Sequence, residues 1–404
     1  MNLVTINKNY ILWSLISVPI LTGSFLIVRE GIMEPGVESA GNLKTENMKR
    51  VFVNPPDIVR AVYLTSTSGG NEKRINWLID LVKKSELNSV VIDIKDFSGY
   101  IGYDSGVLDA EKYRTERLDI KDVDSLLKRL HENNIYVIAR MTIFQDPALV
   151  RARPDWAVQN KYTKRPWVDN KGLSWIDPAN REAWKYFADI AKDALDKGFD
   201  EINVDYVRFP SDGDMSALVF PSWSALRSLA LPSEASGEGR GEGGDTQMTR
   251  PQVLNEFFKY MRTELGDARL SADLFGFVTT RTEDFGVGQV IEDAFEYFDY
   301  ISPMVYPSHY PPKFLRFANP AEHPYEVIYY TMKSARERLM AFQDKTGNRR
   351  ANFRPWLQDF KLGADYTQAM VEAEIKATQD ALGDYYKGFM LWNAGNNYHE
   401  GVFK

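Results

Sequence analysis

The sequence predicts an α/β fold whose body is a closed (β/α)8 TIM barrel, with a long flexible insertion after its fourth strand and a transmembrane segment in front of it. Three observations carry this reading. Eight short apolar segments recur along the chain, helix-period segments lie between them, and an uncharged run of roughly 18 residues, the short end of a membrane-spanning helix, stands near the amino terminus.

That run, "YILWSLISVPILTGSFLIV" from Tyr10 to Val28, follows Lys8 and is followed by "REG". No small-x-small cleavage site lies close behind it, which favours an uncleaved signal anchor over residues 1–28 rather than a removed signal peptide. The body is then expected outside the cytoplasm, anchored to the membrane, or secreted if the segment is cleaved. Arg29, Lys44, Lys49 and Arg50 lie on the far side and weaken the positive-inside signal. Residues 29–56 mix Gly, Pro and charges without period and read as a tether. The barrel domain is assigned to 57–404.

The strand candidates are "VRAVYLT" (59–65), "SVVIDIKD" (89–96), "IYVIARMTIF" (135–144), "EINVDYVRF" (201–209), "RLSADLFGF" (269–277), "DYISPMVYP" (299–307), "NFRPWLQDF" (352–360) and "GFMLWNAG" (388–395). Near-continuous apolar strands alternating with helices indicate a parallel sheet covered on its faces. Eight such units favour closure over an open sheet. Between them, "NEKRINWLIDLVKKS" puts Ile75, Leu78, Ile79 and Val82 on one helix face, and "DSLLKRLHEN" follows the second strand. In "DPANREAWKYFADIAKDALDKG", Asp177 is the expected N-cap, Pro178 the first helical residue and Gly198 the stop. Residues 211–250 contain "LPSEASGEGRGEGGDTQ", too polar to bury a core, and read as a flexible insertion. Gly239, Gly241 and Gly244 match G-x-G-x-x-G, but no strand precedes them and no helix begins at once, so a dinucleotide site fails its structural test.

Composition narrows the chemistry. The 404 residues contain no cysteine, which removes thiol nucleophiles, disulfides and cysteine metal sites. The four histidines, His131, His309, His323 and His399, lack close ligand spacing, so no metal and no cofactor is expected. A net charge of −7 provides no basic field for nucleic acid. Catalysis falls to carboxylates, tyrosines, lysines or arginines.

In a barrel the site lies at the carboxyl ends of the strands. The polar residues there are Asp93, Lys95 and Asp96, then Arg140, then Asp205 and Arg208, then Asp273, Tyr306 and His309, then Gln358 and Asp359, and finally Trp392 and Asn393. Acids accompanied by arginine, tyrosine and tryptophan suit glycosidic bond cleavage, which needs one carboxylate as nucleophile or base and one carboxylic acid as proton donor. Trp156, Trp167 and Trp175 in the loop after strand three, Trp356 in strand seven and Trp392 at the end of strand eight are candidate sugar platforms.

The stretches "VIDIKD", "IARMTIFQDP", "DPANREAW", "EINVDYVRFPSDG", "SADLFGF", "SPMVYPSHY" and "PWLQDF" together resemble a bacterial family of glycosyl hydrolase-like (β/α)8 barrel domains, often membrane-anchored, over roughly residues 57 to 400. The general plan also resembles the α-amylase-like clan, whose nucleophile is an aspartate on strand four with acids on strands five and seven. By that resemblance Asp205, Asp273 and Asp359 are the catalytic candidates; strand five here carries aspartate where the clan has glutamate. Asp205 is expected as nucleophile or base, held ionised by Arg208 and Tyr206. Asp273, flanked by Leu274 and Phe275, is the first choice for proton donor and Asp359 the competing one.

Asp93 and Lys95 alternate in an apolar strand, so both are expected to face the mouth as substrate contacts, unless they form a structural salt bridge. Arg140 reads substrate or pairs with Asp93 or Asp205. Tyr306 and His309 line the pocket. The expected function is a membrane-anchored glycoside hydrolase cleaving an extracytoplasmic polysaccharide. One alternative is a catalytically silent, glycan-binding barrel of the envelope. The other, a lyase with a Lys95 Schiff base, is disfavoured by the adjacent Asp93 and Asp96, because neighbouring acids raise a lysine pKa.

Overall fold

The computed structural model describes residues 55–229 and 248–404. The expected anchor at 1–28 and nearly all of the tether at 29–56 lie outside the described residues. Among the described residues, no helix is long and apolar enough to cross a membrane.

Eight parallel strands close on themselves: β1 (Val59–Leu64), β2 (Ser89–Lys95), β3 (Tyr136–Thr142), β4 (Glu201–Asp205), β5 (Leu270–Phe275), β6 (Tyr300–Met304), β7 in two pieces (Asn352–Phe353 and Trp356–Gln358) and β8 (Gly388–Trp392). Every predicted segment forms its strand. The circle closes where Val59 of β1 stands opposite Gly388 of β8, and where β7 bridges β6 and β8. β7 is split at Pro355, which has no N–H to give the ladder. Gly388 has φ +108°, and a Cβ there would come within 1.8 Å of the Val59 carbonyl oxygen, so only glycine permits this approach.

Each predicted strand runs past the observed end, most of all the fourth, where Asp205 rather than Phe209 is the last strand residue. The next residue, Tyr206, turns the chain with φ +50°, a left-handed conformation uncommon for a side chain of its bulk.

Crossover helices follow the strands: α1 (Glu72–Lys83), α2 (Val123–Glu132), α3 (Arg181–Lys197), α4 (Arg250–Leu265), α5 (Ile291–Tyr297), α6 (Pro324–Thr346) and α7 (Gln368–Leu382). α1 buries Ile75, Leu78 and Ile79 as its spacing predicts, with Asn71 capping the Arg74 N–H. α3 ends at Gly198 with φ +112°, also as predicted. Its start differs: the cap is Asn180, which accepts from the Ala183 N–H, and Asp177 is not the cap. Asp177 instead accepts the backbone N–H groups of Ala179, Ser222 and Trp223.

Those bonds explain a second departure. Part of the stretch read as a flexible insertion is built: Met215–Ala217 form a 3-10 turn, Leu218–Val219 pair with Gln159–Asn160, and Pro221–Leu229 form a helix. Phe209, Phe220 and Trp223 pack edge to face at 5.2 to 5.7 Å. This aromatic cluster supplies the apolar burial that composition averaged over the whole stretch concealed. Residues 230–247 lie outside the described residues.

Inside the barrel, side chains alternate inward by strand geometry and form layers. A deep polar layer joins Arg354 to Glu201, whose Oε1 also accepts from Ser271 Oγ at 2.6 Å and whose Oε2 accepts from Tyr136 at 3.0 Å. Val59, Ala61, Val91, Ile138 and Met390 fill the space around it. The second polar layer lies nearer the carboxyl ends.

Candidate active site

Arg140 of β3 organises that upper layer. It stands beside Asp93 on β2, and its Nη1 pairs with the Asp93 carboxylate while Nη2 pairs with Asp205 of β4. Its Nε lies 3.6 Å from Oδ2 of Asp273 on β5. One guanidinium therefore faces three acids from three strands. The other side of Arg140 lies over the rings of Trp392 at 5.0 Å and Tyr63 at 5.5 Å, and those rings stack on each other at 4.1 Å. Tyr63 in turn donates to Asp93 Oδ2 at 2.5 Å.

The acids differ in their partners. Asp205 has the Arg140 ion pair and accepts the Tyr206 N–H at 2.6 Å. Asp273 takes only neutral donors, both on Oδ1: Asn203 Nδ2 at 2.8 Å and Trp356 Nε1 at 2.7 Å. Its Oδ2 has no hydrogen-bond partner among the described residues. Burial first, and then the charge of Asp205, push the Asp273 carboxyl well above the ordinary aspartate range. Burial also pushes Asp93 up to about 6, against the opposing pull of Arg140 and Tyr63. Tyr306 is buried with its hydroxyl in the field of Asp273 and Asp205, and desolvation raises it strongly. His309 packs against Tyr306 and Phe360, and burial lowers it to about 4, so it is neutral at neutral pH.

Several expected site residues go elsewhere. Asp93 faces Arg140 but Lys95 faces Met141, so Ile94 has no partner and β2 bulges there. The bulge reverses the expected alternation and turns Lys95 out of the barrel. Its Nζ pairs with Asp146 at 2.9 Å and donates to the Thr142 carbonyl at 2.7 Å, wholly buried beside Phe187. This correction also removes the lysine from any Schiff-base role at the mouth. Arg208 does not pair with Asp205: it bonds the Phe209 carbonyl and the Ser211 hydroxyl, and Arg140 holds the acid instead. The Tyr206 ring lies against Trp175 and Arg208, and it is the backbone N–H of Tyr206 that reaches Asp205.

Asp359 at the end of β7 takes both the ring and the backbone N–H of His399, and its charge is among those acting on Glu374 of α7. Nothing joins it to Asp205 or Asp273 among the described contacts. Of the tryptophans, Trp156, Trp167 and Trp175 are buried as packing anchors, while Trp392 stays partly exposed above Arg140. Trp356 is buried and serves Asp273. Sequence reading missed Tyr63 and Asn203. Both carried a signal, since Asn203 lies two residues before Asp205 on the same strand face and Tyr63 shares the inward face of β1 with Val59 and Ala61.

A solved structure shares this architecture. An α-L-fucosidase from Paenibacillus thiaminolyticus aligns over 86% of this chain and 48% of its own, at 12% identity and a TM-score of 0.52. An α-galactosidase from Thermus thermophilus aligns over 87% of this chain and 61% of its own, at 13% identity and a TM-score of 0.49. The chain thus spans about half to three fifths of these two enzymes. A hypothetical protein from Ruminiclostridium thermocellum is 35% identical over 52% of this chain and 96% of its own, with a TM-score of 0.43. A search of curated proteins finds no match. The family model described as "Putative glycosyl hydrolase domain" matches residues 61–398, almost the whole barrel. The chain belongs to that family of glycosyl hydrolase domains.

Proposed function

We propose that the protein is a glycoside hydrolase in which Asp205 acts as nucleophile or general base and Asp273 as proton donor. The observation that carries this is the pair's unequal setting on adjacent strands: one acid is ion-paired to Arg140, the other is desolvated with only neutral donors. Environments that push two carboxyls apart divide them into base and acid. Both carboxylates face the one guanidinium of Arg140 from adjacent strands, the close approach that a two-carboxylate mechanism needs.

In the first step the Asp273 proton passes to the glycosidic oxygen as the C1–O bond breaks. Asp205 either attacks C1 directly or takes a proton from an attacking water. Asp93, Tyr63 and Trp392 hold Arg140 in place and line the site with it. A polysaccharide substrate and an extracytoplasmic, membrane-tethered location belong to the same proposal; the location rests on the uncharged stretch from Tyr10 to Val28.

The test is reducing-end release from a panel of bacterial and plant polysaccharides by wild type, Asp205→Asn and Asp273→Asn, with circular dichroism as the folding control. Turnover lost in both folded variants supports the assignment. Full turnover in either one overturns it. Glycan binding without turnover by wild type would establish the alternative, a catalytically silent binding barrel.

A further inference from the structure

Three arginines are buried among the described residues: Arg140, Arg354 and Arg208. Arg140 has Asp93 and Asp205, and Arg354 has Glu201. Arg208, three residues past Asp205 and 8% exposed, has no carboxylate in ion-pair contact among the described residues. Its Nη1 donates to two neutral acceptors, the Phe209 carbonyl at 3.2 Å and Ser211 Oγ at 2.9 Å. Its Nε and Nη2 make no hydrogen bond to any described residue. A desolvated cation left unpaired costs several kcal/mol.

The surroundings fix this guanidinium in position. The rings of Phe275, Trp175 and Tyr206 lie 4.7, 4.9 and 5.1 Å from it, contributed by the end of β5, the loop after β3 and the turn after β4. Tyr206 reaches this cage through its left-handed backbone, so a strained residue helps to build it. Aromatic faces stabilise the cation weakly without using its N–H donors. The charges of Asp205, Asp212 and Asp169 also reach Arg208, and none of them makes an ion pair with it. A planar fork with two free donors matches a bidentate oxyanion.

We propose that Arg208 is the anion-binding subsite of the barrel, and that the substrate is a glycan carrying an oxyanion substituent, a carboxylate or a phosphate, on a sugar bound next to Asp205. This rests on the glycoside hydrolase reading for the word substrate. The binding itself does not depend on turnover.

Calorimetry on the full chain with Asp205→Asn, chosen to block turnover under the glycoside hydrolase reading, compares charged oligosaccharides with neutral counterparts. The pairs are galacturonate and glucuronate trisaccharides against their methyl esters, and a phosphorylated oligosaccharide against its unphosphorylated form. At least one charged member should bind about tenfold tighter than its partner, equivalent to about 1.4 kcal/mol. That preference should vanish when Arg208→Gln is added and shrink with Arg208→Lys, which keeps the charge but loses the fork. Near-ultraviolet circular dichroism checks the fold of each. Whether the carboxylate or the phosphate pair responds identifies the anion. Equal affinities within every pair, no binding of any probe, or a preference that survives Arg208→Gln would overturn the proposal. A charge preference in a protein whose wild type cleaves nothing would leave the subsite standing and sink the hydrolase.

Discussion

The Nε of Arg140 stands 3.6 Å from Oδ2 of Asp273, and no hydrogen bond joins them. The terminal nitrogens of the same guanidinium are taken by Asp93 and Asp205, so Asp273 receives the weakest share of the one cation among them. The carboxyl with the least compensation is the one that burial and the Asp205 charge raise well above the ordinary aspartate range.

Asp273→Asn should lower kcat by about 10²- to 10⁴-fold, the usual contribution of a positioned acid. The loss should be smallest for substrates with an acidic leaving group such as nitrophenol, which needs little protonation. An equal loss for all leaving groups would remove Asp273 from the donor role.

Activity should extend to higher pH than an ordinary carboxyl allows. The donor works only when protonated, and burial and the Asp205 charge raise the Asp273 pKa, so the alkaline limb of kcat/KM moves upward. Asp205→Asn removes that charge, and Asp273 in this variant should titrate lower, as read by carbon NMR of its carboxyl. An unchanged or higher pKa there would contradict the coupling.

Lys95→Met should destabilise the fold by about 3 to 5 kcal/mol, because it leaves Asp146 buried and unpaired. Adding Asp146→Leu should restore much of the loss in denaturant midpoint. Activity per folded molecule should change little in the double variant, since the bulge at Ile94 keeps Lys95 out of the mouth. A lost turnover in a well-folded double variant would return Lys95 to the site.

Glu374 is fully buried on α7, with the Tyr366 hydroxyl and the Gln358 N–H as partners and no cation in ion-pair contact among the described residues. Desolvation raises its pKa well above the ordinary glutamate range. A raised folded pKa means the native state binds the proton more tightly than the unfolded chain. The contribution is complete below the unfolded value and is lost as pH rises through the folded one. Glu374→Gln should therefore flatten the fall in melting temperature from acid to alkaline pH. A wild-type slope retained in the variant would show that Glu374 is not its source.

The sequence by itself determined the barrel. Apolar strands buried on both faces leave a visible run of Val, Ile and Leu, and the 3.6-residue period of α1 and the glycine after α3 are local signals. It also placed Asp93, Arg140, Asp205 and Asp273 at the carboxyl ends of their strands, since alternation is a property of the strand alone. What only the tertiary structure decided was the partnership of charges. Asp205 is compensated by Arg140, 65 residues away, rather than by Arg208 three residues on, because neighbouring strands bring distant inward side chains closer than a turning chain brings adjacent ones. The fate of Lys95 likewise depended on one unpaired residue in β2, a change of register that no composition or spacing records.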